Sequence, residues 1–445
     1  MTGWVQHLKR KPKKLWGRMC AAAAGGAQMT IDSGWVQHLK RECPGAFRPT
    51  LAARPTTWFI DGQIKLMKGE WVNTWELFLQ RQFLDTIDRA FEHNASVVVL
   101  GFDDYTHVPL CKGMTQRARN AKQVAFAWDE VSPLPPKPPE DWASCMRCRA
   151  FKVSVIKMLV RNVSRIYKNH EKTVIVDWMG PPVVLGRALE LDGRALPAEV
   201  LAADARRGEC DIKALAWSAF GALVVQSTDG DFVPLALVHC EAHADRHVFL
   251  ERIETRVSAG TKRTALGATK RRMEFVCVRE LCTHVQGALR QHAAPCRAFA
   301  VLVALTGCDF SQSMPAIGPA KLWSAHALLH KVDLESEAGV LAAIALAYQF
   351  TFSKHVRTRP FLELSGARTA DAALAAYTGV ADAIASNAAV AQKTRGAMWP
   401  PADARRHARN VLWTLQYWSE LERWPDPLQA KFGFAVDARG LCAYA

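Results

Sequence analysis

Acidic residues end most of the longer apolar runs in this chain, and that pattern constrains the fold more than any other feature. The runs read TTWFID, ASVVVLGFDD, ALVVQSTDGD and FAVLVALTGCD. From Thr57 onward, strand-like runs alternate with longer amphipathic stretches, which predicts an α/β fold with a central, mostly parallel sheet flanked by helices. Open parallel sheets bind their ligands at the carboxyl edge. The sequence therefore predicts a functional site where these acids emerge.

Composition narrows the class of protein. The chain has 445 residues, of which 49% are apolar, so it can fill a sizeable core. Its 57 Lys and Arg against 42 Asp and Glu give a net charge of +15, which suits a polyanionic partner. The longest apolar stretches, Gly339 to Phe350 and Ala298 to Leu305, are shorter than the roughly 20 residues of a membrane-spanning helix. A membrane partner is therefore not expected.

The 12 cysteines lack the spacing of a secreted, disulfide-rich domain, which predicts an intracellular, reduced protein. Cys145 and Cys148 form a CxxC pair, which fits either free thiols or a small metal clip. The basic run KRKPKK, Lys9 to Lys14, fits a nuclear import signal, a polyanion-binding arm or a solvated tail. We predict an intracellular protein and favour the nucleus.

The chain divides into four predicted parts. Residues 1–30 form an N-terminal extension expected to be disordered, and GWVQHLKR within it is repeated at Gly34 to Arg41. Residues 31–300 form the α/β domain, with an insertion at about 125–145 because SPLPPKPPED cannot hold a helix or a central strand. Residues 301–330 contain a compact turn and helix. Residues 331–445 form a helical C-terminal region, since the pattern there is Ala-rich and helical in period.

The acids themselves suggest metal chemistry. Several carboxylates at the ends of apolar runs would be costly to bury without a cation. Carboxylate oxygen is the ligand that Mg²⁺ and Mn²⁺ prefer, and two such ions can activate a water and neutralise a phosphodiester. In chain order the candidate metal ligands are Asp61, Asp103 or its neighbour Asp104, Glu209, Asp211, Asp229, Asp231 and Asp309.

Two further segments could hold phosphate. In KGMTQRAR, Lys112 and Arg119 lie two helical turns apart on one face with Gln116 between them, although a solvated basic face has the same pattern. In SMPAIGPAKLW, Gly318 and Pro319 precede a helix, where backbone N–H groups could receive a phosphate.

The order IDG, FDD, GECD, TDGD, TGCDF and PAIGPAK resembles the 5′ nuclease superfamily, which includes flap endonucleases, XPG-type repair nucleases and 5′-to-3′ exoribonucleases. The resemblance covers roughly Gly34 to Trp323. It implies that 31–300 is a PIN-like nuclease domain and that 301–330 is a helix-hairpin-helix element that binds DNA. It also implies that the seven carboxylates, with Asp103 as the second, bind two Mg²⁺ ions, with Mn²⁺ as a substitute.

The same resemblance assigns the basic residues. Lys112 and Arg119 would be catalytic, orienting the scissile phosphate, and K⁺ could bind at the hairpin. The implied nucleic-acid contacts are Gln116, Arg117, Ile317, Gly318 and Lys321. The chain departs from the superfamily where Asp104 follows Asp103 in place of glycine, and where Pro315 and Ala316 replace the first hairpin glycine, which puts ion binding there in doubt.

Three functions fit these observations. The first is a metal-dependent, structure-specific 5′ endonuclease or exonuclease that acts on DNA with a flap, a nick or a free 5′ end, in replication or repair. The second is an enzyme similar to 5′-to-3′ exoribonucleases, which Gln116 and the DGDFVPLALVH run favour. The third is a nucleic-acid-binding scaffold without catalysis, although every acidic motif is present.

Overall fold

A computed structural model describes most of the chain from Gly34 onward. The described residues are 34–67, 69, 72–104, 126, 128–129, 131–179, 182–186, 190–191, 194–195, 208–227, 229–256, 270–308, 310–352, 368–387, 398–420, 426–436 and 442–444. The predicted extension at 1–30 therefore lies outside the described residues, as does the KGMTQRAR segment.

The described strands form one large sheet and two small ladders. In chain order the strands are β1 (Phe47–Arg48), β2 (Thr57–Asp61), β3 (Val97–Gly101), β4 (Thr173–Asp177), β5 (Val183–Leu185), β6 (Glu190–Leu191), β7 (Arg194–Ala195), β8 (Leu223–Gln226), β9 (Val248–Arg256), β10 (Lys270–Cys277), β11 (Phe434–Val436) and β12 (Cys442–Tyr444). The large sheet has eight strands in the order β1-β10-β9-β8-β2-β3-β4-β5. The five neighbouring strands from β9 to β4 are parallel. β10 and β5 flank them and run antiparallel to them, and β1 at the edge pairs antiparallel with β10.

The α-helices are α1 (Gly34–Glu42), α2 (Gly62–Met67), α3 (Trp75–Leu79), α4 (Asp85–Glu92), α5 (Trp142–Cys145), α6 (Arg149–Tyr167), α7 (Cys210–Ala216), α8 (Phe232–Ala242), α9 (Val278–Ala288), α10 (Pro295–Leu305), α11 (Pro319–Ser324), α12 (Glu337–Phe352), α13 (Ala370–Ala385) and α14 (Pro401–Ser419). Short 3₁₀ turns follow α1, α7, α11 and α14, and a π-helical turn joins α3 to α4. None of the described helices is both long enough and apolar enough to span a membrane.

Both faces of the sheet are covered, which explains why its central strands are apolar throughout rather than alternating. Phe59, Val99 and Val225 face a core that includes α1, α7 to α10 and α12 to α14. Trp58 and Leu100, one position along the same strands, face a second core with α2 to α6. The α/β class and the mostly parallel sheet are therefore confirmed.

The chain reverses its winding direction at β2. After β2 it adds β3 and β4 on one side, then returns to place β8 and β9 on the other side. Such a reversal leaves a crevice at the carboxyl ends of the two diverging strands, here β2 and β8. Asp61 is the last residue of β2, and Gln226 ends β8. The reversal therefore places an acidic strand end beside this crevice.

The C-terminal part of the chain is mainly helical. α12 is apolar around its whole circumference and correspondingly buried among α13, α14 and the sheet-covering helices. Thr369 begins α13 by accepting a hydrogen bond from the Ala372 N–H at 3.2 Å. The β11–β12 ladder, which the helical period did not indicate, follows α14. These helices share one core with the sheet face that carries Phe59, Val99 and Val225.

Candidate metal centre at the carboxyl edge of the sheet

Four adjacent parallel strands, β8, β2, β3 and β4, end in or just before an acid. Asp61 and Asp177 are the last residues of β2 and β4, and both pair in register with Gly101 of the strand between them. Asp103 lies two residues beyond Gly101, and Asp229 lies three residues beyond the end of β8. We call this row of strand ends, with the start of α7, the carboxyl edge.

Asp61 lies at the centre of the carboxyl edge and is only 4% exposed. Its Oδ1 accepts a hydrogen bond from the Ile64 N–H at 2.8 Å, and its Oδ2 accepts one from the Ser227 hydroxyl at 3.1 Å. Burial, followed by the nearby charges of Asp103 and Asp229, raises the pKa of Asp61 to about 7. The predicted ligands Asp103 and Asp229 therefore both lie close enough to Asp61 to disfavour its charge.

Ser227 joins the two strands at the crevice. Besides donating to Asp61, its hydroxyl accepts a hydrogen bond from the Asp229 N–H at 3.1 Å. Asp229 Oδ1 in turn accepts from the Asp231 N–H at 3.0 Å. The two acids are therefore linked by a side-chain-to-backbone hydrogen bond of the kind that closes a turn. Asp231 is 7% exposed and directly precedes α8.

Glu209 and Asp211 also belong to a helix start rather than to a strand. Glu209 occupies the N-cap position of α7, and Asp211 lies in its first turn. Acids are favourable at this end of a helix because its unsatisfied N–H groups carry partial positive charge. The chain reaches this position through Gly208, whose φ of 87° favours glycine.

Asp103 is tied directly to the start of α7. Its Oδ1 accepts a hydrogen bond from the Cys210 N–H at 3.0 Å, and the Asp104 N–H donates to the Gly208 carbonyl at 2.9 Å. Burial, and then the charges of Asp61 and Asp103, raises the pKa of the Cys210 thiol well above its usual value. Asp103 is partly exposed whereas Asp104 is 8% exposed, and Asp103 is the one of the two whose charge acts on Asp61.

Sequence reasoning missed two charged residues at the carboxyl edge, Asp177 and Lys213. The Lys213 Nζ lies 3.3 Å from Asp177 Oδ1 and donates to the Phe102 carbonyl at 2.8 Å. A signal for Asp177 was present, since TVIVD is another apolar run that ends in an acid. Lys213 gave no comparable signal, because nothing local shows that this lysine is buried.

The predicted hairpin is a loop between α10 and α11. Ile317 is 4% exposed and belongs to the core, whereas Gly318 is partly exposed and caps α11. The exposed Lys321 folds back, and its Nζ donates to the carbonyl of Ala316 at 2.8 Å. Ala316 has a φ of 61°, in the left-handed region where a glycine was expected from the resemblance. Of the predicted contacts here, only Gly318 and Lys321 present surface.

The remaining predicted site residues cannot be placed in this geometry. Lys112, Gln116, Arg117, Arg119 and Asp309 lie outside the described residues. Within the described ranges, no group of three or more His, Cys, Asp or Glu side chains is arranged to hold a metal ion. The described ranges do not include Asp309, the seventh candidate ligand. Cys145 and Cys148 are free thiols.

The carboxyl edge nevertheless has donor chemistry that fits a hard divalent cation. Its side chains offer carboxylate oxygen, which Mg²⁺ and Mn²⁺ prefer. Burial, and then repulsion from the charges of Asp103 and Asp229, raises the pKa of Asp61 to about 7. A bound cation would remove that repulsion and favour the ionised form.

Comparison of the chain with protein-family models finds no match. Comparison with curated protein sequences also finds no match.

Proposed function

We propose that the chain is a metal-dependent 5′ nuclease that hydrolyses phosphodiester bonds in DNA with a flap, a nick or a free 5′ end. The observation that carries the proposal is the convergence of Asp61, Asp103 and Asp229 at the point where the sheet reverses its winding. Open α/β sheets bind ligands there. The motif order across the chain supports a PIN-like domain, and the net charge of +15 supports a polyanionic substrate.

In this proposal the carboxyl edge holds two Mg²⁺ ions, which Mn²⁺ can replace. Bound there, they would supply an activated water and neutralise charge on the phosphodiester. Asp61, Asp103, Glu209, Asp211, Asp229, Asp231 and Asp309 are the proposed ligands or hold the water ligands. Ser227 orients Asp61 and the turn bearing Asp229 through its two hydrogen bonds.

Other chain segments would bind the nucleic acid. Lys112 and Arg119 are proposed to orient the scissile phosphate, with Gln116 and Arg117 beside them. The segment from Met314 to Lys321 is proposed to contact duplex DNA, with K⁺ as a candidate ion. The buried Ile317 would contribute by shaping this loop rather than by direct contact. The basic run at Lys9 to Lys14 supports a nuclear location within this proposal.

The test is cleavage of three 5′-labelled substrates in Mg²⁺ and in EDTA: single-flap DNA, nicked duplex DNA and 5′-phosphorylated single-stranded RNA. The wild-type protein is compared with an Asp229→Ala/Asp231→Ala variant. A matched control is Glu171→Ala/Asp245→Ala, because these exposed acids precede β4 and β9 at the opposite edge of the sheet. We expect Mg²⁺-dependent cutting of flap or nicked DNA by the wild type and the control but not by the first variant.

The other outcomes are distinct. Degradation of RNA alone would replace this proposal with the exoribonuclease function. Equal binding of flap DNA by all three proteins without cleavage would indicate a nucleic-acid-binding scaffold. Cleavage that persists in EDTA or in the Asp229→Ala/Asp231→Ala variant would refute the proposed site.

A further inference from the structure

Lys213 and Asp177 form an ion pair that is sealed from water. Their side chains are 1% and 3% exposed, and the Nζ of Lys213 lies 3.3 Å from Asp177 Oδ1. Removing two charges from water is expensive, and apolar residues of similar size often stabilise a fold as well or better. A pair buried this completely therefore requires a reason beyond stability.

The ammonium group of Lys213 joins three segments of the carboxyl edge. It sits on α7, two residues after Asp211, and contacts Asp177 at the end of β4. It also donates at 2.8 Å to the carbonyl of Phe102, the residue directly before Asp103. The Phe102 N–H donates to the Asp177 carbonyl at 2.8 Å, so the backbone ties the same two strand ends together.

The start of α7 binds the Asp103 loop at two more points. The Cys210 N–H donates to Asp103 Oδ1 at 3.0 Å, and the Gly208 carbonyl accepts from the Asp104 N–H at 2.9 Å. The loop carrying one predicted ligand is thus fixed, on both sides of that ligand, to the helix carrying Glu209 and Asp211. The bond from Lys213 is made by a side chain that is not a proposed ligand, so it can be removed by mutation without changing the ligand set.

We propose that Lys213 and Asp177 are positioning residues of the metal centre: the pair fixes the Asp103 loop against α7, so that Asp103, Glu209 and Asp211 keep one relative arrangement. This role rests on the proposed function, because it concerns the same site. Lys213 itself cannot be a metal ligand while it is an ammonium, which has no free electron pair. Asp177 acts as its counter-charge and holds the ammonium beneath the Phe102 carbonyl.

A double variant can distinguish the proposed positioning role from a simple contribution to stability. Lys213→Met alone leaves Asp177 buried without its cation and should destabilise the fold strongly. Lys213→Met/Asp177→Asn removes both charges, so its melting temperature should return to within about 5 °C of the wild type. The Phe102 carbonyl still lacks its donor in the double variant, so the loop should remain loosely held.

A matched control tests whether losing any buried cation has the same effect. Arg252 is 1% exposed and lies 3.7 Å from Glu274 across the β9–β10 pair, among strands that carry no candidate ligand. Arg252→Met therefore removes a buried positive charge of the same kind at a distance from the carboxyl edge. It should lower stability without changing the metal site.

Two measurements on the full-length protein decide the proposal. The first is the Mn²⁺ dissociation constant from electron paramagnetic resonance of the free ion. We expect the double variant to bind Mn²⁺ about 10- to 100-fold more weakly than the wild type, the range seen when residues supporting metal ligands are lost. The Mn²⁺ dissociation constant of Arg252→Met should stay within about 2-fold of the wild-type value, because the contacts that hold the proposed ligands are unchanged in this variant.

The second measurement is hydrogen exchange in EDTA, which needs no metal. Peptides covering Phe102 to Asp104 and Gly208 to Lys213 should exchange about tenfold faster or more in the double variant, while α12 should be unchanged. Unchanged exchange together with unchanged Mn²⁺ affinity would overturn the positioning role and leave the proposed function standing. A wild-type protein that binds no Mn²⁺ would refute the proposed function, and the positioning role with it, whatever the exchange shows.

Discussion

The carboxyl edge and the C-terminal helices α12 to α14 border the same apolar core but are built with opposite chemistry. At the edge, burial and then the nearby charges of Asp103 and Asp229 raise the pKa of Asp61 to about 7. The helices contribute buried side chains such as Tyr348, Tyr377 and Trp413 to the same core that covers the strands. Apolar packing in the helices can therefore offset the unfavourable burial of a carboxylate at the edge. Such a division is typical where function requires an unfavourable arrangement.

Burial of one titratable group in each region makes the contrast measurable. Burial raises the pKa of Asp61 to about 7 and lowers the pKa of His407 in α14 to about 3. In both residues burial disfavours the charged form. Because an acid is charged above its pKa and a histidine below it, the two regions should respond to pH in opposite directions.

The largest effect is expected from Trp413→Ala. Trp413 is fully buried in α14, and its ring contacts Tyr417, Phe310 and Phe434 with centroids 5.1, 5.3 and 5.8 Å apart. Removing it should lower the free energy of unfolding by about 3–5 kcal/mol. Urea denaturation measures this change. Gln416→Ala on the same helix is the control and should change stability by less than about 0.5 kcal/mol.

If Trp413→Ala lowers the free energy of unfolding by less than about 1 kcal/mol, the helices are not a main source of stability, and the proposed contrast between the two regions is wrong. The variant should keep normal Mn²⁺ affinity in its folded fraction. A loss of metal affinity without unfolding would show instead that the helices shape the site directly.

Asp61→Asn should have the next largest effect: it should raise the stability of the metal-free protein and lower its activity. In EDTA, the folded wild type keeps a proton on Asp61 up to about pH 7, whereas the unfolded chain releases it near its ordinary value of 3.8. Stability is therefore lost as pH rises from about 4 to 7 and stays low above that. Asparagine has no charge to bury, so the variant should be about 2–4 kcal/mol more stable than the wild type at pH 7.5.

The same Asp61→Asn change should reduce Mg²⁺-dependent cleavage more than about 100-fold, because it removes a central ligand. Unfolding in EDTA at pH 5 and pH 7.5, together with a cleavage assay, checks both directions. An Asp61→Asn protein that is no more stable than the wild type at pH 7.5 would show that the fold does not disfavour a charge at Asp61.

His407→Phe tests the opposite pH response. Unfolded histidine binds a proton below about pH 6.5, whereas folded His407 stays neutral down to about pH 3, so the wild type loses stability as pH falls through that window. Between pH 7 and pH 5 this loss should be about 2 kcal/mol and should be absent from the variant. Over the same fall in pH, the stability advantage of Asp61→Asn should shrink. Equal pH slopes for wild type and His407→Phe would contradict the burial of this ring.

The sequence predicted the acids at the carboxyl edge better than the contacts that hold them in place. Apolar runs and chain order are local signals, so the parallel strands and the acids at their ends could be inferred. The bonds of Lys213 join residues 36 and 111 positions apart, and no local pattern specifies such contacts. The helix start that carries Glu209 and Asp211, which follows the turn at Gly208, was also not predicted. The burial of Ile317 likewise depends on packing that the hairpin motif does not encode.

The smallest effect is expected from the partly exposed charges that join the C-terminal helices. Glu337 of α12 accepts hydrogen bonds from Arg405 and Arg409 of α14, the latter at 2.9 Å, and these side chains are 22–32% exposed. A double-mutant cycle with Glu337→Gln and Arg409→Met should give a coupling of about 0.2–1 kcal/mol at low salt. At about 1 M salt the coupling should largely vanish, because the screening length falls to about 3 Å.

By contrast, removing Lys213 alone should cost about 3–5 kcal/mol with little dependence on salt, because that pair is sealed from water. A salt-resistant coupling above about 2 kcal/mol between Glu337 and Arg409 would show that the helices, like the carboxyl edge, depend on desolvated charge, and the distinction between the two regions would fail.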